Sequence, residues 1–247
     1  MKIAVVGDGK MGKAVLDRAK FFGVEAVAVA KDGEACVGWR EQGLQVDCVV
    51  DFSHPTCIKG ICEFCRVARV PLVSGTTGLH EEHTKILKNL AKKVAVCHGG
   101  NFSAGVAVLK RAVALAVKYF ERLGFEYDLA LTEKHHSTKR DRPSGTAKEL
   151  MEIITRLSSG KNSFAVVGEE NFCKDKGGAQ IACFRCGGEV GEHTVEFVGE
   201  GQKLTIAHNA WSKSIFADGA LTVAKKICNE SAGWYCFEDF IFKKGEV

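Results

Sequence analysis

Short apolar runs alternate with longer amphipathic stretches along roughly the first hundred residues of the chain. The apolar runs predict five strands, at Lys2–Val6, Ala26–Ala30, Val46–Phe52, Val70–Val73 and Val94–Cys97. The stretches between them predict helices at Met11–Phe22, Glu34–Glu41, Pro55–Arg69 and His80–Lys92. Apolar strands separated by helices are typical of a parallel sheet that is covered on both faces. We therefore predict an α/β domain with a doubly wound, Rossmann-type sheet.

The second half of the chain has a different pattern. It predicts helices at Ala104–Arg122 and Gly145–Leu157, with a strand at Phe125–Lys134 between them. Four strands without intervening helices follow, at Phe164–Val167, Ala179–Cys186, Thr194–Val198 and Leu204–Ala207. Such a run favours an α+β domain with an antiparallel or mixed sheet. Because the last helix, Phe216–Cys228, can pack back onto the first domain, we predict domains of 1–103 with 216–247, and of 104–215.

Composition and charge narrow the function classes. Of the 247 residues, 46% are hydrophobic and 26% are charged, as in ordinary globular proteins. No apolar run approaches the ~20 residues that span a bilayer. Because the chain opens directly on the first predicted strand and its glycine turn, we expect no signal peptide. The net charge of +4 suits small anionic ligands but lacks the dense basic face of a nucleic-acid binder. We expect a cytoplasmic protein with neither a membrane nor a nucleic-acid partner.

The eleven cysteines are predicted to be free thiols, because their number is odd and they are scattered along a chain expected in a reducing compartment. Cys183 and Cys186 lie three apart in a strand, so their side chains point to opposite faces. Cys62 and Cys65 share one face of a helix, among apolar neighbours that indicate a buried stripe. A structural zinc site needs four close ligands, so we predict no metal.

A glycine-rich loop, Gly7-Asp8-Gly9-Lys10-Met11-Gly12, fits the GxGxxG pattern. It follows the first predicted strand and opens a helix, which is the context in which the pattern indicates dinucleotide binding. Gly7 permits a tight turn, Gly9 lets the backbone approach a pyrophosphate, and Gly12 allows close packing of helix and strand. Free N–H groups at the helix start attract the phosphates. An ordinary glycine turn is the alternative.

The end of the second strand bears on the choice between NADH and NADPH. Lys31 suits the 2′-phosphate of NADPH, whereas Asp32 keeps binding of the NADH ribose possible. We therefore predict that NADPH binds at least as well as NADH. Two loops rich in small residues, Gly75–Gly78 and Gly99–Ser103, follow the fourth and fifth strands, where open α/β sheets bind ligands.

The densest polar segment is 133–147, with two adjacent histidines, a lysine and a Ser-Gly-Thr helix start. Ser144 is a favourable N-cap, and the amides of Gly145 and Thr146 then point towards an anion. Lys139 adds a positive charge. A histidine with a pKa near its ordinary value of about 6.5 can donate a proton at neutral pH. An exposed basic loop without chemistry is the alternative.

This segment resembles the dihydrodipicolinate reductases, whose signature E-x-H-H-x-x-K-x-D-x-P-S-G-T-A it matches at every specified position. Further matches run in order along the chain: the glycine loop, Asp51-Phe52-Ser53, Gly75–Gly78, Asn101-Phe102-Ser103, Val190–Thr194 and Phe216–Ala220. The resemblance implies a reductase of lysine and diaminopimelate biosynthesis. It implies that NADPH or NADH reduces the dihydrodipicolinate (4-hydroxy-tetrahydrodipicolinate) ring to tetrahydrodipicolinate. It also implies a homotetramer, built through a second domain that binds the substrate.

The resemblance also implies residue roles. His135 would protonate the substrate, and Lys139 would act with it as the second catalytic residue. The residues expected to bind the substrate are His136, Ser144, Gly145 and Thr146. The residues expected to bind the cofactor are Gly7, Asp8, Gly9, Lys10, Met11, Gly12, Lys31, Asp32, Phe52, Gly75, Thr77, Gly100, Asn101, Phe102 and Arg185.

Two alternatives remain open at this stage. The chain could be another two-domain NAD(P) dehydrogenase, but a semialdehyde dehydrogenase needs an activated cysteine, and nothing around Cys97 indicates one. It could instead be a redox sensor that binds NAD(P)H without catalysis. That function would need a DNA- or partner-binding module, which the pattern does not predict, and it leaves the His-His-Lys segment unexplained.

Overall fold

The computed structural model describes residues 1–29, 39, 43–159, 164–166 and 179–243. Its helices are α1 Lys10–Ala19, α2 Ile58–Ala68, α3 Glu81–Ala91, α4 Ala104–Arg122, α5 Gly145–Leu157, α6 Ser214–Ile227 and α7 Glu238–Ile241. Its strands are β1 Lys2–Val6, β2 Glu25–Val29, β3 Cys48–Asp51, β4 Leu72–Ser74, β5 Ala95–His98, β6 Asp128–His135, β7 Phe164–Val166, β8 Ala179–Arg185, β9 Gly191–Gly199, β10 Gln202–Ala210 and β11 Gly233–Tyr235. The chain divides into two compact units, Met1–Ala104 with Lys213–Val247, and Gly105–Ser212.

The first unit is built around a six-stranded sheet with the order β11-β5-β4-β3-β1-β2, in which every pair of neighbours is parallel. The predicted parallel, Rossmann-type sheet is thereby confirmed. The side chains of β3 and of Ile3–Val6 in β1 are fully buried, which explains why these strands appear in the sequence as continuous apolar runs.

Element ends in the first unit differ from prediction for local reasons. The predicted helix Met11–Phe22 is α1 followed by a tighter 3₁₀ turn, Lys20–Phe22, which ends at Gly23 with a φ of 64°. The helix predicted to begin at Pro55 starts as a 3₁₀ turn, Pro55–Cys57, and becomes α2 at Ile58. The predicted helix Glu34–Glu41 lies outside the described residues, apart from Trp39.

Helix α6, which corresponds to the last predicted helix, contacts α1 and strands β3, β4 and β5. Two short elements after it, β11 and α7, were not predicted. A strand of only three residues, paired on one side with β5, is too short for its alternation to be recognised in the sequence.

The second unit contains a mixed sheet with the order β10-β9-β6-β8-β7. Strands β6, β8 and β7 run parallel, while β9 is antiparallel to both β6 and β10. This confirms the predicted mixed sheet. One face packs on α4 and α5 in a core made of Val113, Val117, Leu129, Leu131, Leu150, Ile154, Ile181, Val195 and Phe197, with further buried neighbours.

Strands β9 and β10 are longer than predicted because they form a tight hairpin. Gly199 pairs with Gln202, so the loop consists of Glu200 and Gly201, and Gly201 has a φ of 82°. Two-residue hairpin loops need such left-handed positions, and glycine adopts them at little cost.

No helix within the described ranges combines the length and apolar character that crossing a membrane requires. The nine cysteines in those ranges are free thiols. Cys62 and Cys65 lie in the apolar core of the first unit, as their helical spacing predicts.

Candidate active site

The turn from β1 into α1 is shaped by two glycines. Gly7 has a φ of 118°, and a Cβ atom there would overlap the carbonyl oxygen of Phe52. A Cβ on Gly12 would overlap the carbonyl oxygen of Gly7, so the helix can lie this close to the strand only with glycine. Gly9 is exposed, and the space beside it is open to 4 Å. The helix start therefore forms a cradle that suits a pyrophosphate.

Asp51, at the carboxyl end of β3, joins the loops after β3 and β4. Its Oδ1 accepts hydrogen bonds from the amide and hydroxyl of Ser53, at 3.0 and 2.5 Å. Its Oδ2 accepts hydrogen bonds from the hydroxyls of Ser74 and Thr76, both at 2.8 Å. Burial raises the pKa of the Asp51 carboxyl, although these four bonds oppose the shift. The buried carboxylate of Asp51 thus connects the two loops by hydrogen bonds.

Aromatic packing continues this arrangement towards the loop after β5. A Cβ on Gly75 would overlap the ring of Phe52, so this ring covers the glycine. The Phe52 ring lies 6.0 Å from that of Phe102, which is itself buried. The side chain of Asn101 accepts a hydrogen bond from the Ser103 amide at 2.8 Å. The loops that follow β1, β3, β4 and β5 therefore meet at one edge of the sheet.

The remaining residues predicted to bind the cofactor differ in where they lie. Asp8, Lys10, Thr77 and Gly100 are exposed around this edge, and Met11 is half-buried in the first turn of α1. Lys31 and Asp32 lie outside the described residues, and Arg185 belongs to the second unit.

In the second unit, β6 carries both apolar core residues and polar site residues on one face. Leu129, Leu131, Glu133 and His135 alternate along the strand, and all four are buried. Because strand side chains two apart share a face, the core side of β6 ends in a carboxylate and an imidazole.

Glu133 is fully buried and accepts several hydrogen bonds. The Ser144 amide lies 3.1 and 3.2 Å from its two oxygens, and Nη2 of Arg185 lies 2.8 Å from Oε1. Burial alone would raise the pKa of Glu133, but the bonds from Ser144 and Arg185 outweigh burial and hold the pKa below its ordinary value. Glu133 is therefore an ionised carboxylate inside the unit.

Arg185, at the end of β8, bonds to the polar loop of the site. Besides Glu133, its guanidinium contacts the carbonyl oxygens of Lys139 at 3.3 Å and Asp141 at 2.5 Å. Its side chain is only 2% exposed, so its charge is balanced by Glu133 rather than by solvent.

His135 is buried next to Glu133. Its Nδ1 lies 3.5 Å from Oε2 of Glu133, and its ring lies 5.1 Å from the ring of His193. Burial lowers the pKa of His135 to about 4, while Glu133 opposes this shift and Lys139 adds to it. The expectation of a pKa near 6.5 is therefore wrong for this state of the protein, because the sequence did not reveal how deeply the ring is buried.

Lys139 and His136 lie on the loop after β6. Nζ of Lys139 is 2.7 Å from Asp141, and the Lys139 side chain is 23% exposed. Nδ1 of His136 is 2.8 Å from the Thr138 hydroxyl. Lys139 therefore presents a cation at the surface of the site, held by a carboxylate of its own loop.

Ser144 caps α5, as predicted. Its hydroxyl accepts a hydrogen bond from the Ala147 amide at 3.2 Å and lies 3.0 Å from Nε2 of His193. Gly145 is exposed in the first turn of α5, and Thr146 follows it, mostly buried. The hydrogen bonds of Ser144 thus hold the start of α5 in place, while the exposed Gly145 offers its amide to an anion.

Three of these side chains are close enough to be considered as metal ligands. Glu133, His135 and His193 offer atoms that lie within 4.8 Å of one another. Glu133, however, already accepts bonds from Arg185 and Ser144, and Nε2 of His193 faces the Ser144 hydroxyl. These bonds favour a hydrogen-bonded network at this position.

Models of known protein families match nearly the whole chain. A model described as dihydrodipicolinate reductase, N-terminus, matches residues 1–102, and the corresponding C-terminus model matches residues 105–241. The chain belongs to the dihydrodipicolinate reductase family. Family membership confirms the predicted enzyme class, an oxidoreductase of lysine and diaminopimelate biosynthesis. The first unit is therefore an NAD(P)-binding Rossmann domain, and the family uses NADH or NADPH.

Individual relatives are similar in sequence to this chain over nearly their full length. A 4-hydroxy-tetrahydrodipicolinate reductase of Thermosipho africanus is 37% identical over 242 residues, which cover 98% of each chain. One of Natronomonas pharaonis is 32% identical over 98% of this chain and 100% of its own. A solved dipicolinate-bound dihydrodipicolinate reductase from Paenisporosarcina sp. TG-14 has a TM-score of 0.73 over 96% of this chain and 97% of its own. Its 22% identity makes this last likeness one of fold.

Three residues of the two sites were not predicted, although the sequence contains a signal for each. Asp51 ends a fully apolar strand, where a carboxylate is unexpected. Glu133 continues the alternation of Leu129 and Leu131 on the core face of β6, and His193 does the same ahead of Val195 on β9. A polar residue at a position whose spacing requires burial needs hydrogen-bond partners, and such positions are candidates for a site.

Proposed function

We propose that this protein reduces 4-hydroxy-tetrahydrodipicolinate to tetrahydrodipicolinate, with His135 as the proton donor. The arrangement in the second unit carries the proposal. There, the buried His135 lies 3.5 Å from Glu133, which also accepts a hydrogen bond from the amide of Ser144, the N-cap of α5. The charge of Lys139 acts on the same imidazole. A small dicarboxylate needs positive groups for its carboxylates and a proton donor for its ring, and these residues supply both. The nicotinamide, when bound, supplies the hydride.

The positive groups act on the substrate carboxylates. We propose that one carboxylate binds the amides of Gly145 and Thr146 at the helix start, with Ser144 and His136 beside it. The second binds Lys139, which exchanges its ion pair with Asp141 for one with the substrate. An ammonium group that already has a carboxylate partner in the free protein is suited to exchanging it for another.

The low pKa of His135 is compatible with its role as proton donor, because the charge of a bound substrate changes that pKa. In the free protein the buried imidazole is neutral at neutral pH, because its pKa is about 4. A bound dianion favours the charged form of a neighbouring group and raises the pKa of His135. His135 therefore gains its proton as the substrate binds, which keeps the acid available where it is used.

The cofactor is proposed to bind the first unit. The cradle formed by Gly7, Gly9 and Gly12 suits the pyrophosphate. Gly75, against which the Phe52 ring packs, lies at the same edge of the sheet, where we place the nicotinamide. Asp8, Lys10, Met11, Thr77, Gly100, Asn101 and Phe102 complete the proposed set. For Arg185 the observed bonds favour a role within the second unit. We propose that NADPH binds at least as well as NADH, and the KM values for the two cofactors test this preference.

A coupled assay tests the function directly. Aspartate semialdehyde, pyruvate and a dihydrodipicolinate synthase generate the substrate, and the loss of NADPH absorbance is followed. We expect NADPH loss that depends on this protein. If the synthase is shown to be active and neither NADPH nor NADH is consumed, the proposed function is wrong and a non-catalytic NAD(P)H sensor becomes the better explanation.

Assembly and location are proposed with the function. We propose a homotetramer built through the second unit's sheet, because Phe184 and Val198 on its outer face are 51% and 41% exposed. Light scattering should then give a mass about four times 26.7 kDa. The free thiols of the nine described cysteines support a reducing location, which we propose to be the cytoplasm.

A further inference from the structure

A buried carboxylate, Glu133, lies within the second unit's site and is bonded to residues around it. Glu133 is 0% exposed, and its neighbours include the Ser144 amide, Nη2 of Arg185, the Cys183 thiol and the rings of His135 and His193. They belong to four segments: the start of α5, the end of β8, the end of β6 and the start of β9. One ionised group therefore connects four segments of the site.

The pair of Glu133 and Arg185 extends this connection to the loop 136–143. Arg185 donates to the carbonyl oxygens of Lys139 and Asp141, while Glu133 accepts from the Ser144 amide. The loop is thus bonded at its middle and at its end to the same buried ion pair. A planar guanidinium can reach several acceptors at fixed angles, which a lysine ammonium cannot do.

We propose that Glu133 is a positioning residue that, through Arg185 and the Ser144 amide, fixes the loop carrying Lys139 and the first turn of α5 for the reduction. This inference rests on the proposed function and adds two residues to it, Glu133 and Arg185, neither of which is among the groups proposed to bind the substrate. It predicts that loss of the carboxylate affects the chemical step and substrate binding while the cofactor unit is unaffected.

The replacement Glu133→Gln removes the charge and keeps the size of the side chain. Its amide nitrogen is a donor and would face another donor, because both Glu133 oxygens accept from Ser144 or Arg185. Since a displacement of about 1 Å can cost about a hundredfold in rate, we expect kcat to fall by up to about a hundredfold. We also expect a higher KM for the dicarboxylate and an unchanged Kd for NADPH.

A pH profile separates positioning from plain structural support. Glu133 raises the pKa of His135, although burial keeps that pKa low overall. With Glu133 neutral, the pKa of His135 falls further, so the pH above which kcat declines should move to lower pH in Glu133→Gln. A variant that is merely less stable would lose activity without moving that midpoint.

The matched control is Glu149→Gln, which removes a carboxylate from another ion pair of the same unit, 2.9 Å from Lys110. It should retain the wild-type kcat and pH midpoint. If Glu133→Gln does not fold, judged by circular dichroism, Arg185→Lys replaces it. That variant keeps the charge but reaches fewer of the acceptors, and it should lose kcat with normal NADPH binding.

The outcomes are distinguishable. An active wild type with a folded Glu133→Gln variant of unchanged kcat and pH midpoint overturns the positioning role and leaves the proposed function intact. An inactive wild type in the coupled assay overturns the proposed function itself. A double variant, Glu133→Gln with Arg185→Lys, should lose no more than the worse single variant, because residues acting as a unit are non-additive. Fully additive losses would refute their action as a pair.

Discussion

His135 is the residue on which the proposed chemistry depends most. Glutamine at 135 has a similar reach but cannot donate a proton as an acid. We expect His135→Gln to lower kcat by about 10²- to 10⁴-fold, the usual contribution of general acid catalysis, and to change KM less. Steady-state kinetics in the coupled assay measure both, and an unchanged kcat would remove His135 from its assigned role.

His193 gives a second test at the residue scale, through stability. Burial lowers the pKa of both His135 and His193 to about 4, while unfolded histidine has a pKa of about 6.5. Below pH 6.5 the unfolded state binds more protons, so the free energy of unfolding falls as pH drops from about 6.5 to 4. Each histidine contributes up to about 1.4 kcal/mol per pH unit.

Replacing His193 with glutamine should therefore flatten this dependence. Glutamine can still bond to the Ser144 hydroxyl but takes up no proton. Denaturant unfolding at several pH values between 4 and 6.5 should show a slope smaller by about one proton in His193→Gln than in the wild type. An equal slope in the two proteins would mean that His193 is not buried in its neutral form.

At the scale of elements, the close contact between β1 and α1 requires glycine at position 12. A Cβ on Gly12 would overlap the Gly7 carbonyl, so Gly12→Ala must push α1 away from the strand. We expect this shift to open the cradle and to weaken NADPH binding by at least about tenfold, since about 1.4 kcal/mol of lost contact suffices. Fluorescence titration measures the Kd, and Asp17→Ala, an exposed change further along α1, should leave it unaltered.

Element prediction succeeded where a local signal marked the boundary. The bounds of α4 and α5 agree with the sequence prediction, and Ser144 caps α5 as its residue type indicates. The predicted strands were placed correctly, and β1 has the predicted bounds. The ends of most other predicted strands moved by one to three residues, because pairing partners set a strand's end and these lie far away in sequence. The bonds of Arg185 to Lys139 and Asp141 span 46 and 44 residues, so no local pattern could reveal them.

At the scale of the whole molecule, we expect the cofactor and the dicarboxylate to stabilise the protein separately, because we propose that they bind different units. A ligand that binds only the folded state raises stability by about 2.7 kcal/mol at a hundred times its Kd. We expect NADPH to raise the melting temperature of both the wild type and Lys139→Ala. Dipicolinate, a dicarboxylate analogue, should add a further rise in the wild type only, because Lys139 lies in the second unit.

Kinetics of the same variant provide the check. Lys139→Ala should show a lower kcat and a higher KM for the dicarboxylate, with a normal melting response to NADPH. Full activity in Lys139→Ala would contradict its role, and loss of the NADPH response would mean that the substitution disturbs the first unit as well.

The discontinuity of the first unit has a consequence for how the protein is made. Its sheet lacks the edge strand β11 and the covering helix α6 until residues beyond Ser212 have left the ribosome. The second unit, Gly105–Ser212, is continuous and can close first during synthesis. The nascent chain therefore carries an incomplete nucleotide fold throughout most of translation. Premature termination near the end of the message would remove the cofactor-binding unit before it removed the proposed dicarboxylate site.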